Sequence, residues 1–164
     1  MISGVDIMAK SNVRLDYKEL EKLKEQIMLF GDPTKMDQFL TSCAKELAAR
    51  LLGKVIRRTP VGQYPEGSGK TGGTLRRGWT GGKGGNASSY ANSLNVNKVG
   101  TDYVIEIINP TEYASYVEFG HRTRNHTGWV EGKFMLTISE DEIRKSAPRI
   151  LEKKLENYLK ECFK

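Results

Sequence analysis

Histidine and cysteine are almost missing: 164 residues contain two of each. A closed zinc site needs four ligands drawn from these types, and Glu118, His121 and His126 fit no zinc-ligand spacing. Cys43 and Cys162 each fall at an apolar position of an expected helix and read as free, buried thiols, without a disulfide framework. Long apolar runs are also missing, since none approaches the roughly 20 residues of a membrane helix. Met1–Asp6 lacks the basic region and apolar core of a secretory signal. The expectation is a soluble protein of a reducing cytoplasm with no membrane contact. Asn86-Ala87-Ser88 and Asn125-His126-Thr127 fit the glycosylation pattern, which without a secretory signal carries no meaning.

No paired carboxylates, nucleophile elbow or Cys–His pair stands out. Gly67-Ser68-Gly69-Lys70-Thr71 imitates a phosphate loop, but Tyr64 stands where that motif needs glycine, and the flanking segments have the wrong order. No catalytic residue, cofactor or metal is expected.

Acidic residues are scarce in one stretch. Residues 54–98 carry eight basic side chains against Glu66 alone, a net +7, while the whole chain carries +6. The basic residues are Lys54, Arg57, Arg58, Lys70, Arg76, Arg77, Lys83 and Lys98. A basic, glycine-rich segment suits a polyanion or an acidic partner. This supports one reading by itself, a small basic cytoplasmic nucleic-acid-binding protein.

What is present is periodicity. Leu15, Leu20, Leu23 and Ile27 predict an amphipathic helix over 15–30. Met36, Phe39, Leu40, Cys43, Leu47, Leu51 and Val55 predict a stronger one over 35–58, with Thr34 as its cap and Pro60 beyond its end. Residues 74–80 read as a strand with Leu75 and Trp79 on one face. Residues 92–99 and 103–108 read as an antiparallel hairpin. Residues 111–119 read as a short helix capped by Gly120, followed by a polar loop over 121–133. From Phe134 the chain reads as helical, with capping-box spacing at Ser139 and Glu142 and a kink or break at Pro148.

The expectation is a single α+β domain over 1–164: a small antiparallel β-sheet of about three strands packed against a long N-terminal-half helix and a C-terminal helix. Residues 1–34 would form a helical extension, and 62–73 and 81–91 flexible glycine-rich loops.

Two blocks about forty residues apart are the most specific feature. The first is Thr71-Gly72-Gly73-Thr74-Leu75-Arg76-Arg77-Gly78-Trp79, preceded by Thr59-Pro60-Val61. The second is Tyr113-Ala114-Ser115-Tyr116-Val117-Glu118-Phe119-Gly120-His121-Arg122. Over residues 36–163 the chain resembles the tail-completion proteins of tailed bacteriophages, also called neck or head–tail joining proteins. That family shows Thr-Pro-Val, then Thr-Gly-x-Leu-Arg-Arg-x-Trp, then Tyr-Ala-x-Tyr-Val-Glu-Phe-Gly. The matching positions are Thr59, Pro60, Thr71, Gly72, Leu75, Arg76, Arg77 and Trp79, then Tyr113, Ala114, Tyr116, Val117, Glu118, Phe119 and Gly120. Gly62–Lys70 intervene between the first two elements, and Gly78 and His121 replace a frequent serine and threonine. Gly132-Lys133-Phe134-Met135-Leu136 stands where the family closes on Arg-Pro-Phe-Leu.

The resemblance implies a non-enzymatic virion part, assembled in the host bacterial cytoplasm. It would form a homo-oligomeric ring, six-fold by first expectation and twelve-fold by second, at the neck or the head-proximal end of the tail. Its partners would be connector or adaptor proteins, tail-tube or terminator proteins and, transiently, genomic DNA. Arg57, Arg58, Lys70, Arg76, Arg77 and Lys83 are then the candidate ring-interface or channel-facing residues.

Overall fold

The computed structural model describes residues 13–14, 24, 32–82 and 84–162. The helix expected over 15–30 and the N-terminal extension lie outside the described residues, except that Lys24 is helical and Val13–Arg14 forms a strand, β1.

Helix α1, Pro33–Arg58, runs through the centre of the fold. The seven stripe residues from Met36 to Val55 are all buried, at most 5% exposed, and Ala44, Ala48 and Leu52 widen the stripe. Its cap is Asp32, not Thr34. The Asp32 carboxylate accepts from the Thr34 backbone N–H at 2.9 Å, and Pro33 fills the first turn, where a missing N–H costs nothing.

Residues 74–80 do not form a strand. Thr74–Gly78 is a short helix, α2, entered from Gly73 in a left-handed conformation. Leu75 and Trp79 still share a buried side, because a spacing of four suits a helical turn as well as an alternating strand. Ala87–Ser93 is a helix, α3, capped by the Asn86 side chain, which takes over most of the second half of the loop expected over 81–91. The expected strand over 92–99 shrinks to Asn97–Val99, β2. It pairs antiparallel with Asp102–Val104, β3, as the hairpin expectation required. Glu106–Ile107, β4, pairs with β1. The strands thus form separate two-stranded ladders rather than one continuous sheet.

Ala114–Phe119 forms α4. The expected polar loop over 121–133 contains a hairpin instead: Gly120–Arg122, β5, pairs with Trp129–Glu131, β6. Its turn is closed by Thr123, whose hydroxyl accepts from the Gly128 N–H at 2.9 Å. These three-residue strands are too short for an alternating pattern to announce them.

Helix α5, Met135–Cys162, is continuous through Pro148. Ile143, Ala147 and Leu151 are buried on both sides of the proline, so packing against α1 outweighs the missing hydrogen bond. Ser139 and Glu142 lie inside α5 and form no capping box. The Ser139 hydroxyl donates to the Met135 carbonyl at 2.6 Å, and Glu142 pairs with Lys54 and Arg58 across to α1. Helix α1 packs between α3 and α5, and Phe39 and Tyr158 bring ring centroids to 4.5 Å. Cys43 is a free buried thiol, and burial pushes its pKa up to about 12. The Cys162 side chain lies outside the described residues.

Candidate interaction surface

Thr59 ends α1 and organises the first block. Proline at 60 holds Thr59 extended, and its N–H and hydroxyl both donate to the Val55 carbonyl, at 2.9 and 2.6 Å. That hydroxyl also accepts from Trp79 Nε1 at 2.8 Å. The Thr59 carbonyl accepts from Arg76 Nε at 3.1 Å and Nη2 at 2.7 Å. A guanidinium at the negative end of a 26-residue helix is favourable by about 0.3–1 kcal/mol. Thr59, Arg76 and Trp79 therefore join α1 to α2 and serve the fold.

Gly78 faces the buried Asn109. A methyl group there would sit 2.2 Å from Asn109 Oδ1, which already accepts from the Thr111 N–H, while Nδ2 donates to the Leu75 carbonyl. Serine at this position would displace that asparagine.

The second block is tied down by Glu118, which is 3% exposed. Its carboxylate accepts from the backbone N–H groups of Leu136 at 2.9 Å and Thr137 at 2.8 Å, and from the Thr137 hydroxyl at 2.7 Å. It caps the N-terminus of α5 from a distant element, placing negative charge where the helix dipole favours it. The backbone adds two ties, Lys133 N–H to the Val117 carbonyl and Phe134 N–H to the Glu118 carbonyl. Gly120 turns the chain at φ 85°, and Trp129 and the Val130 carbonyl lie against it so closely that no side chain fits.

On this frame sit Tyr113, Tyr116, Phe119, Trp129, Val130, Phe134 and Ile138, each 40–58% exposed. They are seven of the ten large hydrophobic residues exposed among the described residues. The Tyr116 and His121 rings meet edge to face at 5.8 Å. His121 Nδ1 is buried without a hydrogen-bond partner among the described residues. So many large apolar groups on one unit, with an unsatisfied polar atom among them, make this unit the candidate interaction surface.

The five basic candidates among the described residues have different surroundings. Arg58 is half-buried and bonded to Ser139 and Glu142. Arg76 is committed to Thr59. Arg77 is exposed and donates to the Gly72 carbonyl at 3.1 Å. Lys70 is exposed, with its ammonium 5.9 Å from the Tyr64 ring. Arg57 is exposed in a groove between α1 and α5. Lys83 lies outside the described residues. Sequence reasoning found Tyr113, Tyr116 and Phe119 as motif residues but missed Trp129, Val130, Phe134 and Ile138. The only signal for these four is their density of apolar groups in a segment that is otherwise polar.

Among the described residues no group of His, Cys, Asp and Glu is arranged to hold a metal ion, and no helix is long and apolar enough to cross a membrane. Residues 18–120 match the sequence model of a family described as "Bacteriophage HK97-gp10, putative tail-component". The match takes in both blocks through Gly120. No curated protein and no solved structure matches the chain.

Proposed function

The chain belongs to the HK97-gp10-like family of bacteriophage tail components, a structural part of the virion, and we propose that it closes into a ring at the neck or the head-proximal end of the tail. The observation that carries this reading is the aromatic unit of α4, β5–β6 and the start of α5. Its residues are rich in tyrosine, tryptophan and phenylalanine, the composition of a protein–protein contact core.

The occupant of this face is the neighbouring copy of the same chain. The element it receives is the segment 61–72, which carries no helix or strand and exposes Val61 and Tyr64. Such a segment orders on contact, when burial offsets its entropy. Two different patches meeting head to tail generate a closed ring when the rotation closes. The same reading places connector or adaptor proteins and tail-tube or terminator proteins above and below, assembly in the host cytoplasm, and a structural role without catalysis.

Electron microscopy of particles built with an epitope-tagged copy tests the location. Label at the head-proximal end of the tail is expected. Label along the tail tube or at its distal tip overturns the reading.

A further inference from the structure

A groove of about 1090 Å³ runs between α1, α5 and the start of α3. Arg50, Lys54 and Arg57 line it from α1, and Arg149, Lys153 and Lys154 from α5. The steps of four and three between Arg50, Lys54 and Arg57, and of four between Arg149 and Lys153, place these cations along one side of each helix, about 6 Å apart for a step of four, with Lys154 beside Lys153. Arg50 is paired with Glu46 at 2.7 Å and Lys54 with Glu142 at 2.7 Å. Arg57, Arg149, Lys153 and Lys154 have no ion pair among the described residues. Like charges at such spacings repel, so folding alone gives no reason to gather them.

We propose that this groove binds the phosphate backbone of a nucleic-acid duplex without reading its sequence. Its composition favours phosphate over a protein partner. It contains no aromatic ring, and half its cations are lysine, which protein–protein interfaces avoid. Without rings it has no platform for stacking bases, which removes single-strand readers as well. Ala49, Gly53 and Ala87 in the lining carry little or no side chain, so a sugar–phosphate strand can approach the helix backbones. Flexible lysine and arginine side chains on two walls meet phosphates by charge and need no fixed base edge. The site stands whether or not the subunits close into a ring.

The test is a fluorescence-anisotropy titration of the full chain with a labelled duplex of arbitrary sequence, at several salt concentrations. Wild type should bind in the micromolar range at low salt, weakening linearly in log–log form. Replacing both Arg149→Ala and Lys153→Ala should weaken binding about 10-fold and reduce the salt slope by about two. The control Lys70→Ala with Arg77→Ala, two exposed cations outside the groove lining, should leave the slope unchanged. Thermal melting of all three proteins confirms that each is folded. The proposal fails if wild type does not bind, if the control pair takes the loss instead, or if the groove binds polyglutamate but not duplex.

Discussion

The unit of α4, β5–β6 and the first turn of α5 exposes five aromatic rings, Tyr113, Tyr116, Phe119, Trp129 and Phe134. The groove between α1 and α5 has no aromatic ring in its lining, which holds six cations, two of them in ion pairs, and Glu46. Both rest on α5, yet they are built differently. The aromatic unit is held by a buried carboxylate and by backbone hydrogen bonds, with its polar groups spent inward. The groove is held by apolar stripes and by the Lys54–Glu142 ion pair, with Arg57, Arg149 and Lys153 exposed. A surface for protein contact needs a rigid frame beneath large rings. A surface for a polyanion needs only charge on long side chains, and its supporting helices can be ordinary.

Breaking the shared frame should have the largest effect. Trp79→Ala removes a ring that is 1% exposed, together with its bond to Thr59. Denaturant unfolding should show a loss of about 3–5 kcal/mol, with both surfaces impaired. Glu118→Ala separates the two surfaces. It leaves the first N–H groups of α5 without their acceptor, costing about 1–3 kcal/mol by the same measurement. It should damage the aromatic unit while duplex binding by the groove persists.

A smaller, pH-dependent effect belongs to the groove side. The hydrogen bond from Lys54, then that from Arg58, holds Glu142 below its ordinary pKa of 4.5. A carboxyl with a depressed folded pKa contributes stability that is fully present above its unfolded value and is lost as pH falls through the folded one. Acid titration of wild type should therefore show a loss below pH 4.5 that Glu142→Gln lacks. The smallest effect is expected at Arg149→Ala. Relief of repulsion with Lys153 should offset the lost side-chain contacts, leaving thermal melting within about 0.5 kcal/mol of wild type.

The comparison also shows how much of the molecule its sequence discloses. Helix α1 is legible because seven apolar residues repeat at one period over six turns' worth of chain. The β2–β3 hairpin is legible from Tyr103, Val104 and Ile105 around the Gly100 turn. Helix α2 is not, because five residues carry too little pattern and Leu75 and Trp79 satisfy either period. The β5–β6 hairpin rests on Thr123 and Gly120, which are local turn chemistry rather than strand propensity. Arg76 read as a surface cation because nothing in the sequence shows the Thr59 carbonyl beside it. The groove is invisible for a similar reason. Its two rows lie about a hundred residues apart in the chain, and each alone looks like a solvated helix face.

The most direct test of the account is a high-resolution cryo-electron microscopy reconstruction of the region between head and tail in assembled particles. The account predicts a closed ring of this chain there, with Tyr116, Phe119 and Trp129 of each copy buried against segment 61–72 of its neighbour. A ring in which those side chains face solvent, or a head-proximal tail end without this chain, would contradict it.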